Sequence, residues 1–413
     1  DAYNIAIGHN AGTAVSTGVR NILIGGFAGD ALTTGGYNVG IGYNTLSSED
    51  GNGYNVAVGT YTLATLNAGA DAFNTAVGYA AGYTITTGIN NTIIGGLAGD
   101  AITTGNYNVA VGNHALGAED AHGKNTAIGY GTLSVQNAGA DAHNTAVGYL
   151  AGSAVSTGVH NTIVGGLAGD AITVGAYNIA IGSYALSTED GHGRNVAIGY
   201  SSLLNLNAGA DAYNVAIGHD TGKAMTTGAN NVIIGGQAGD ALTTGSNNVA
   251  IGRNALSTED GNGKNVAIGN STLYTLNAGT DAYNVAVGYE AGYAITTGVE
   301  NTLIGGLAGD ALTTGGYNVA VGYLALSAED GNGRNVAIGS AALTALNAGA
   351  DAYNVGVGYS VGSQMTTGIE NILMGYNAGT SITSGGHHVA IGHEALATED
   401  VRSGNVAIGF QAL

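Results

Sequence analysis

Paired acidic residues recur at a fixed spacing in this chain and are its best candidates for chemistry. Glu49-Asp50 is followed by the turn residues Gly51-Asn52-Gly53, and a Glu-Asp pair returns every 70 residues. The further pairs are Glu119-Asp120, Glu189-Asp190, Glu259-Asp260, Glu329-Asp330 and Glu399-Asp400. Calcium ions take about six to eight oxygen ligands, several of them carboxylates. Each pair is therefore either a calcium-binding turn or a solvated acidic turn that keeps the protein soluble, and we favour the solvated turn.

Other residues with catalytic or metal-binding potential do not form a recurring pattern. The ten histidines are His9, His114, His122, His143, His160, His192, His219, His387, His388 and His393. None recurs in every repeat, and the sequence contains no Gly-x-Ser-x-Gly motif and no phosphate-binding loop with its lysine. We therefore expect no catalytic residue, no resident metal and no cofactor, and we expect that the protein is not an enzyme.

Composition narrows the range of partners. The net charge is −20, from 28 acidic residues against 8 Lys and Arg. Nucleic-acid binding requires clustered basic residues, so we expect no nucleic-acid partner. No apolar run approaches the roughly 18 residues of a membrane-spanning helix, so we expect no membrane insertion. So few basic residues leave few sites for trypsin-like proteases, which suits an extracellular location or the surface of a cell or virion.

A pentad Asn-x-x-(Ile/Val/Met)-Gly organises the whole chain. It occurs 24 times, at steps of 17, 17, 17 and 19 residues that sum to a super-repeat of 70 residues. The super-repeats start at residues 4, 74, 144, 214, 284 and 354. Twenty-three pentads begin with Asn, His388 being the exception, and all 24 end in Gly. A period of this length is typical of a solenoid in which each coil stacks on the next.

The pentads predict strands. Glycine recurs every few residues, and each glycine costs a helix about 1 kcal/mol. The alternation within a pentad places Val56 and Val58 on one side and Ala57 on the other. We therefore predict an all-β fold, a parallel β-solenoid (β-roll or β-helix) of 24 coils of 17 or 19 residues. We expect residues 1–413 to form one continuous rod without a domain boundary.

Each pentad position has an expected role in the stack. The asparagines should form a structural ladder in which each side-chain amide bonds to the amide one coil away. For the first two super-repeats these are Asn4, Asn21, Asn38, Asn55, Asn74, Asn91, Asn108 and Asn125. The final glycines suit crowded corners where a Cβ atom would clash. The aliphatic residues before them should form the inner stack, as at Ile7, Ile24, Ile41 and Val58.

The pentads resemble repeats of bacterial and phage surface proteins. Asn-Val-Ala-Ile-Gly at 195–199, 265–269, 335–339 and 405–409 resembles the head repeats of trimeric autotransporter adhesins. Asn-Thr-Ala-Val-Gly-Tyr at 74–79 and 144–149 is similar to repeats of phage tail fibres and large bacterial surface proteins. The resemblance implies a left-handed parallel β-roll and association into trimers. A weaker similarity, of Ile24-Gly25-Gly26-Phe27-Ala28 to one hexad of the hexapeptide acyltransferases, leaves an enzyme as a remote alternative.

Two functional hypotheses follow. The first is a structural, non-enzymatic subunit of an extracellular fibre, in which copies of the chain self-associate through the solenoid ends. Ile5, Ile7, Val406 and Ile408 would then be the assembly residues. The alternative is a fragment of a phage tail-fibre shaft or of a trimeric adhesin head that attaches to a host or surface. In that case the partner would be a cell-surface or glycan receptor. The 23 tyrosines could bind sugars or pack between protomers and along the rod, and we favour packing.

Overall fold

The computed structural model describes residues 2–398 and 401–413. The chain divides into two compact units, Asp1–Ala212 and Tyr213–Leu413. Within the described ranges all regular structure is β, in 24 strands of three residues each. These ranges hold no helix long and apolar enough to cross a membrane. The predicted parallel β-solenoid fold is confirmed, whereas the left-handed sense and the single rod over residues 1–413 stay predictions.

The first unit contains one strand in each of its pentads. They are β1 (Ile5–Ile7), β2 (Ile22–Ile24), β3 (Val39–Ile41), β4 (Val56–Val58), β5 (Thr75–Val77), β6 (Thr92–Ile94), β7 (Val109–Val111), β8 (Thr126–Ile128), β9 (Thr145–Val147), β10 (Thr162–Val164), β11 (Ile179–Ile181) and β12 (Val196–Ile198). Within this unit each strand pairs in parallel with the strands of the neighbouring coils, without any shift of register. In the pairing of β2 with β3, for example, Ile22 lies beside Val39 and Ile24 beside Ile41.

The second unit repeats this arrangement. Its strands are β13 (Val215–Ile217), β14 (Val232–Ile234), β15 (Val249–Ile251), β16 (Val266–Ile268), β17 (Val285–Val287), β18 (Thr302–Ile304), β19 (Val319–Val321), β20 (Val336–Ile338), β21 (Val355–Val357), β22 (Ile372–Met374), β23 (Val389–Ile391) and β24 (Val406–Ile408). The step from β16 to β17 crosses a coil of 19 residues, yet Val266 still lies beside Val285. The two extra residues are therefore accommodated outside the strands.

The glycine that closes each pentad ends the strand because the next coil is too close for a side chain. At Gly252 the backbone has φ +136°, and a Cβ atom there would lie 2.3 Å from the carbonyl oxygen of Gly269 in the following coil. That separation is far inside van der Waals contact, and the dihedral angle is one that residues with a side chain rarely adopt. The glycines thus set both the length of the strands and the close approach of successive coils.

The predicted inner stack was wrong in its choice of face. The middle residue of the pentad points inward, as Leu23, Ala57 and Ala76 show by being at most 1% exposed. The residues expected inside, Ile7, Ile24, Ile41 and Val58, lie on the outer face of the strands and are half-buried or exposed.

Residues of the turns complete the interior. The middle residue of the strand is Ala or Gly in most coils and Leu or Ile in the others, and an aliphatic residue from the turn that follows fills the rest of the interior. Leu46, Leu63 and Ile85 are such turn residues, and all are fully buried. Val and Ile at the outer positions cover the flanks of their neighbours in the stack, which suits β-branched side chains.

Candidate functional site

The predicted ladder asparagines begin successive coils and lie directly above one another. Asn4, at the edge, is half-buried, and the other seven are at most 1% exposed. The backbone N–H of each asparagine donates to the Oδ1 atom of the asparagine one coil earlier, for example from Asn38 to Asn21 at 2.9 Å. The same bond joins Asn21 to Asn4, Asn55 to Asn38, Asn74 to Asn55, Asn91 to Asn74, Asn108 to Asn91 and Asn125 to Asn108. The ladder therefore satisfies buried backbone donors.

The bonding within the ladder differs from the amide-to-amide contact expected from the sequence. The Nδ2 atom of Asn21 donates to the carbonyl oxygen of Gly35 at 2.9 Å, and its contact with Oδ1 of Asn4 is longer, at 3.2 Å. The corner carbonyl attracts the amide because it would otherwise be buried without a donor. His388 keeps the pattern, since its N–H donates to Asn371 and its Nδ1 accepts from the N–H of Asn405.

The four proposed assembly residues lie in the two terminal strands. Ile5 and Ile7 are 48% and 59% exposed in β1, and Val406 and Ile408 are 64% and 67% exposed in β24. In the described part of the chain β1 pairs with β2 and β24 pairs with β23, so each leaves one strand edge open. Their role in assembly stays a prediction.

The glutamates of the acidic turns are inside the protein, which corrects the expectation of a solvated turn. Glu49, Glu119, Glu189, Glu259 and Glu329 are all 0% exposed, whereas the aspartate that follows each of them is exposed. The glutamate side chain folds back beneath its own turn, where Oε1 of Glu49 accepts the backbone N–H of Asn52 at 2.9 Å. Glu399 and Asp400, the sixth pair, lie outside the described residues.

In the five described turns the aspartate anchors the turn to the preceding coil through its backbone. The carbonyl oxygen of Asp50 accepts bonds from the N–H of Thr33 at 2.6 Å and from its hydroxyl at 2.7 Å. Thr103, Thr173, Thr243 and Thr313 make the same hydroxyl bond to the aspartates at 120, 190, 260 and 330. These threonine hydroxyls are therefore used within the solenoid.

Burial makes these glutamates poor acids. It raises the pKa of the Glu49, Glu189, Glu259 and Glu329 carboxyls above the ordinary value, against the opposing effect of hydrogen bonds from the turn. For Glu119, burial raises the pKa to about 7. The Oε2 atoms of Glu49, Glu189, Glu259 and Glu329 are buried without a hydrogen-bond partner. These four turns thus hold a carboxyl oxygen that could still accept a proton or bind a cation, whereas Oε2 of Glu119 accepts a hydrogen bond from Nδ2 of Asn125 at 3.5 Å.

Two of the turns place a histidine beside this carboxyl group. Nδ1 of His122 lies 3.8 Å from Oε1 of Glu119, and Nδ1 of His192 lies 3.7 Å from Oε1 of Glu189. Together with the intervening aspartate, each set offers three ligand atoms within 4.8 Å of one another. The sequence did signal this through the spacing Glu-Asp-x-His. We missed it because we looked for histidines that recur in every super-repeat.

Aromatic side chains form rows on the outside of the coils. The rings of Tyr37 and Tyr54 are parallel with centroids 4.9 Å apart, and Phe73 continues the stack. A second group encloses a groove of about 300 Å³ lined by Tyr61, Tyr79, Ala80, Tyr83 and Leu97. Rows of this kind stabilise neighbouring coils, and the groove could accept the face of a sugar ring.

No protein-family model and no curated protein matches the sequence of this chain. The arguments that follow therefore depend on the geometry described above.

Proposed function

We propose that the chain is a structural, non-enzymatic subunit of an extracellular fibre whose copies join through the end strands β1 and β24. The observation that carries this proposal is the uniform coil-to-coil pairing within each unit, which leaves an open strand edge at β1 and at β24. In a stack of this kind each coil contacts only its neighbours, so stability grows by adding coils.

The open edge of β24 has the same hydrogen-bonding groups as every edge inside the stack. The second residue of a pentad donates its N–H to the asparagine carbonyl of the following coil, as Val389 does to Asn405 at 2.9 Å. The N–H of Val406 occupies the same position in the last described pentad. A further coil of the same polypeptide or a coil of a second copy would satisfy it equally well. We propose that in the fibre a coil of a second copy satisfies it.

The test is fibre formation by purified protein carrying Val406→Pro. Proline removes the N–H that points to the open edge but breaks no bond between β24 and β23, because that N–H is directed away from β23. We expect short or absent fibres by electron microscopy and unchanged circular dichroism. The matched control is Thr280→Pro, at an exposed position away from the strands, which should leave fibres intact. Fibres of normal length from the Val406→Pro protein would exclude end-to-end joining.

The outer face of the strands favours a second candidate function. Ile94, Ile128, Ile304 and Ile338 are among the aliphatic residues there that are 38% to 41% exposed, and they repeat along each unit. Such a face could pack against other copies sideways, as in the trimers implied by the resemblance to adhesin heads and phage shafts. Ile304→Lys would then abolish a discrete trimer measured by light scattering. The same variant should leave end-to-end fibres unaffected.

A further inference from the structure

We propose that the two turns Glu119-Asp120-Ala121-His122 and Glu189-Asp190-Gly191-His192 each bind a divalent transition-metal ion of the Zn²⁺ class. This site is independent of the fibre function, and both turns belong to the first unit. Each turn brings one carboxylate oxygen from the glutamate, one from the aspartate and one imidazole nitrogen to within 4.8 Å of one another.

The buried atoms of the second turn lack the partners that such atoms normally have. Glu189 is 0% exposed, and its Oε2 atom has no hydrogen-bond partner. Nδ1 of His192 is also buried without a partner, although it lies 3.7 Å from Oε1 of the same glutamate. Buried polar atoms are nearly always satisfied, so an unpartnered atom on each of these two neighbouring side chains indicates a missing ligand. In the first turn Nδ1 of His122 is equally without a partner.

The spacing fits a metal ion after a small adjustment. Zn²⁺ holds nitrogen and oxygen ligands at roughly 2.1 Å in tetrahedral geometry, which separates two ligand atoms by about 3.4 Å. The corresponding separations between Nδ1 and Oε1 are 3.8 Å at His122 and 3.7 Å at His192. The histidine side chain is 33% exposed at His192, and Asp190 is exposed, so an ion can enter from solvent. The remaining coordination position would be filled by water.

The ligand set selects the class of metal. Two carboxylates and one imidazole suit Zn²⁺, Ni²⁺ or Cu²⁺, whereas Ca²⁺ requires more ligands and takes oxygen only. Nearby basic side chains do not replace the ion, because Lys124 pairs with Asp141 at 2.6 Å and Arg194 pairs with Asp211. The negative charge of each turn is therefore balanced by its own histidine or by a bound cation.

Turns without a histidine elsewhere in the chain provide a control for the role of the histidines. The equivalent turns of three other super-repeats have asparagine at this position, and Asn52 and Asn262 bond to their glutamates through the same backbone N–H. His192→Asn therefore recreates a turn that the protein already folds, and His122→Asn differs from that turn only by Ala121 in place of glycine. Asparagine offers no imidazole nitrogen, so these variants remove one ligand and keep the backbone.

The experiment is Zn²⁺ titration of the full chain after chelator treatment, followed by calorimetry and by metal analysis after dialysis. We expect two tightly bound ions per chain in the wild-type protein, one in either single variant and none in the double variant. Affinity should fall by more than the roughly 100-fold that loss of an outer-shell partner costs. A large excess of Ca²⁺ should not displace the bound Zn²⁺. Circular dichroism of each variant checks that the fold is retained.

A second variant separates this site from other exposed histidines. His143 and His160 stack with ring centroids 5.2 Å apart and could themselves bind Zn²⁺. His143→Tyr with His160→Asn uses residues found at equivalent positions of other super-repeats, and it should retain both ions. The proposal is overturned if this control loses the ions, if the double variant at His122 and His192 keeps them, or if the wild-type protein binds none.

Discussion

The closing glycines of the pentads offer a quantitative test of how closely the coils approach. Gly252→Ala would place a Cβ atom 2.3 Å from the carbonyl oxygen of Gly269, at a backbone φ of +136°. Holding an alanine at such a dihedral costs about 1–3 kcal/mol. Relieving the overlap also requires the two coils to separate, which weakens the bonds between them from Val249 to Asn265 at 2.8 Å and from Gly269 to Ile251 at 2.7 Å. Each of these bonds contributes about 0.5–1.5 kcal/mol.

We therefore expect Gly252→Ala to destabilise its pair of coils by about 3–5 kcal/mol in total. Two other glycines in the same unit separate the causes. At Gly279 φ is +70° with nothing within 4 Å of an added Cβ, so alanine there should cost only the dihedral strain, about 1–2 kcal/mol. At Gly236 an added Cβ also has open space and φ is not positive, so alanine should be neutral or stabilise by up to about 1 kcal/mol.

Hydrogen exchange followed by mass spectrometry is the appropriate assay, because a repeat protein can open locally without unfolding as a whole. A tenfold change in exchange corresponds to about 1.4 kcal/mol, so Gly252→Ala should accelerate exchange in residues 249–272 by roughly 100- to 5000-fold. Gly279→Ala should accelerate exchange in its own coil by roughly 5- to 30-fold. If Gly252→Ala were no more disruptive than Gly279→Ala, the close contact between coils would be absent and the reasoning wrong.

Three further predictions concern the same unit. Cysteines replacing Val249 and Val266, which are register partners about 4.8 Å apart, should be joined by a short thiol crosslinker, whereas cysteines at Val232 and Val266, about 9.6 Å apart, should not. Asn231→Ala should lower the free energy of unfolding by about 2–5 kcal/mol, because it leaves the buried N–H of Asn248 and the buried carbonyl oxygen of Gly245 unsatisfied. Hydrogen exchange measures this loss, and Asn231→His should restore part of it. The raised pKa of Glu259 means that the folded state binds its proton more tightly than the unfolded state. This stabilisation should be complete below pH 4.5 and lost as the pH rises through the folded pKa, and melting curves of Glu259→Gln should show a weaker decline over that range.

The strands could be predicted from the sequence because every coil repeats the same local pattern of residues. Alternation over three residues, bounded by asparagine and glycine, identifies a strand and its two faces. It does not say which face is inside. We placed Ile41 and Val58 inside because they are larger, whereas the interior accepts Ala57. Polarity indicates the outer face, since threonine replaces valine at the position of Thr75 but the middle position is never polar.

The buried glutamates could not be predicted because their burial depends on the turn and on the coils above and below it. A Glu-Asp-Gly sequence is ordinarily solvated, and nothing local distinguishes Glu49 from Asp50. The structure separates them, since Glu49 accepts an N–H of its own turn inside the coil while Asp50 remains outside. Tertiary stacking therefore decides which carboxylate is buried, and the metal proposal could arise only after that assignment.

The central claim, that copies of the chain join by continuing the stack of coils, is tested most directly by X-ray diffraction from aligned fibres of the purified protein. The account predicts a reflection at about 4.8 Å along the fibre axis, because the coils would be stacked along that axis. It also predicts that the Val406→Pro protein gives no oriented fibres to diffract. A spacing of about 4.8 Å perpendicular to the fibre axis, or discrete trimers in place of fibres, would contradict it.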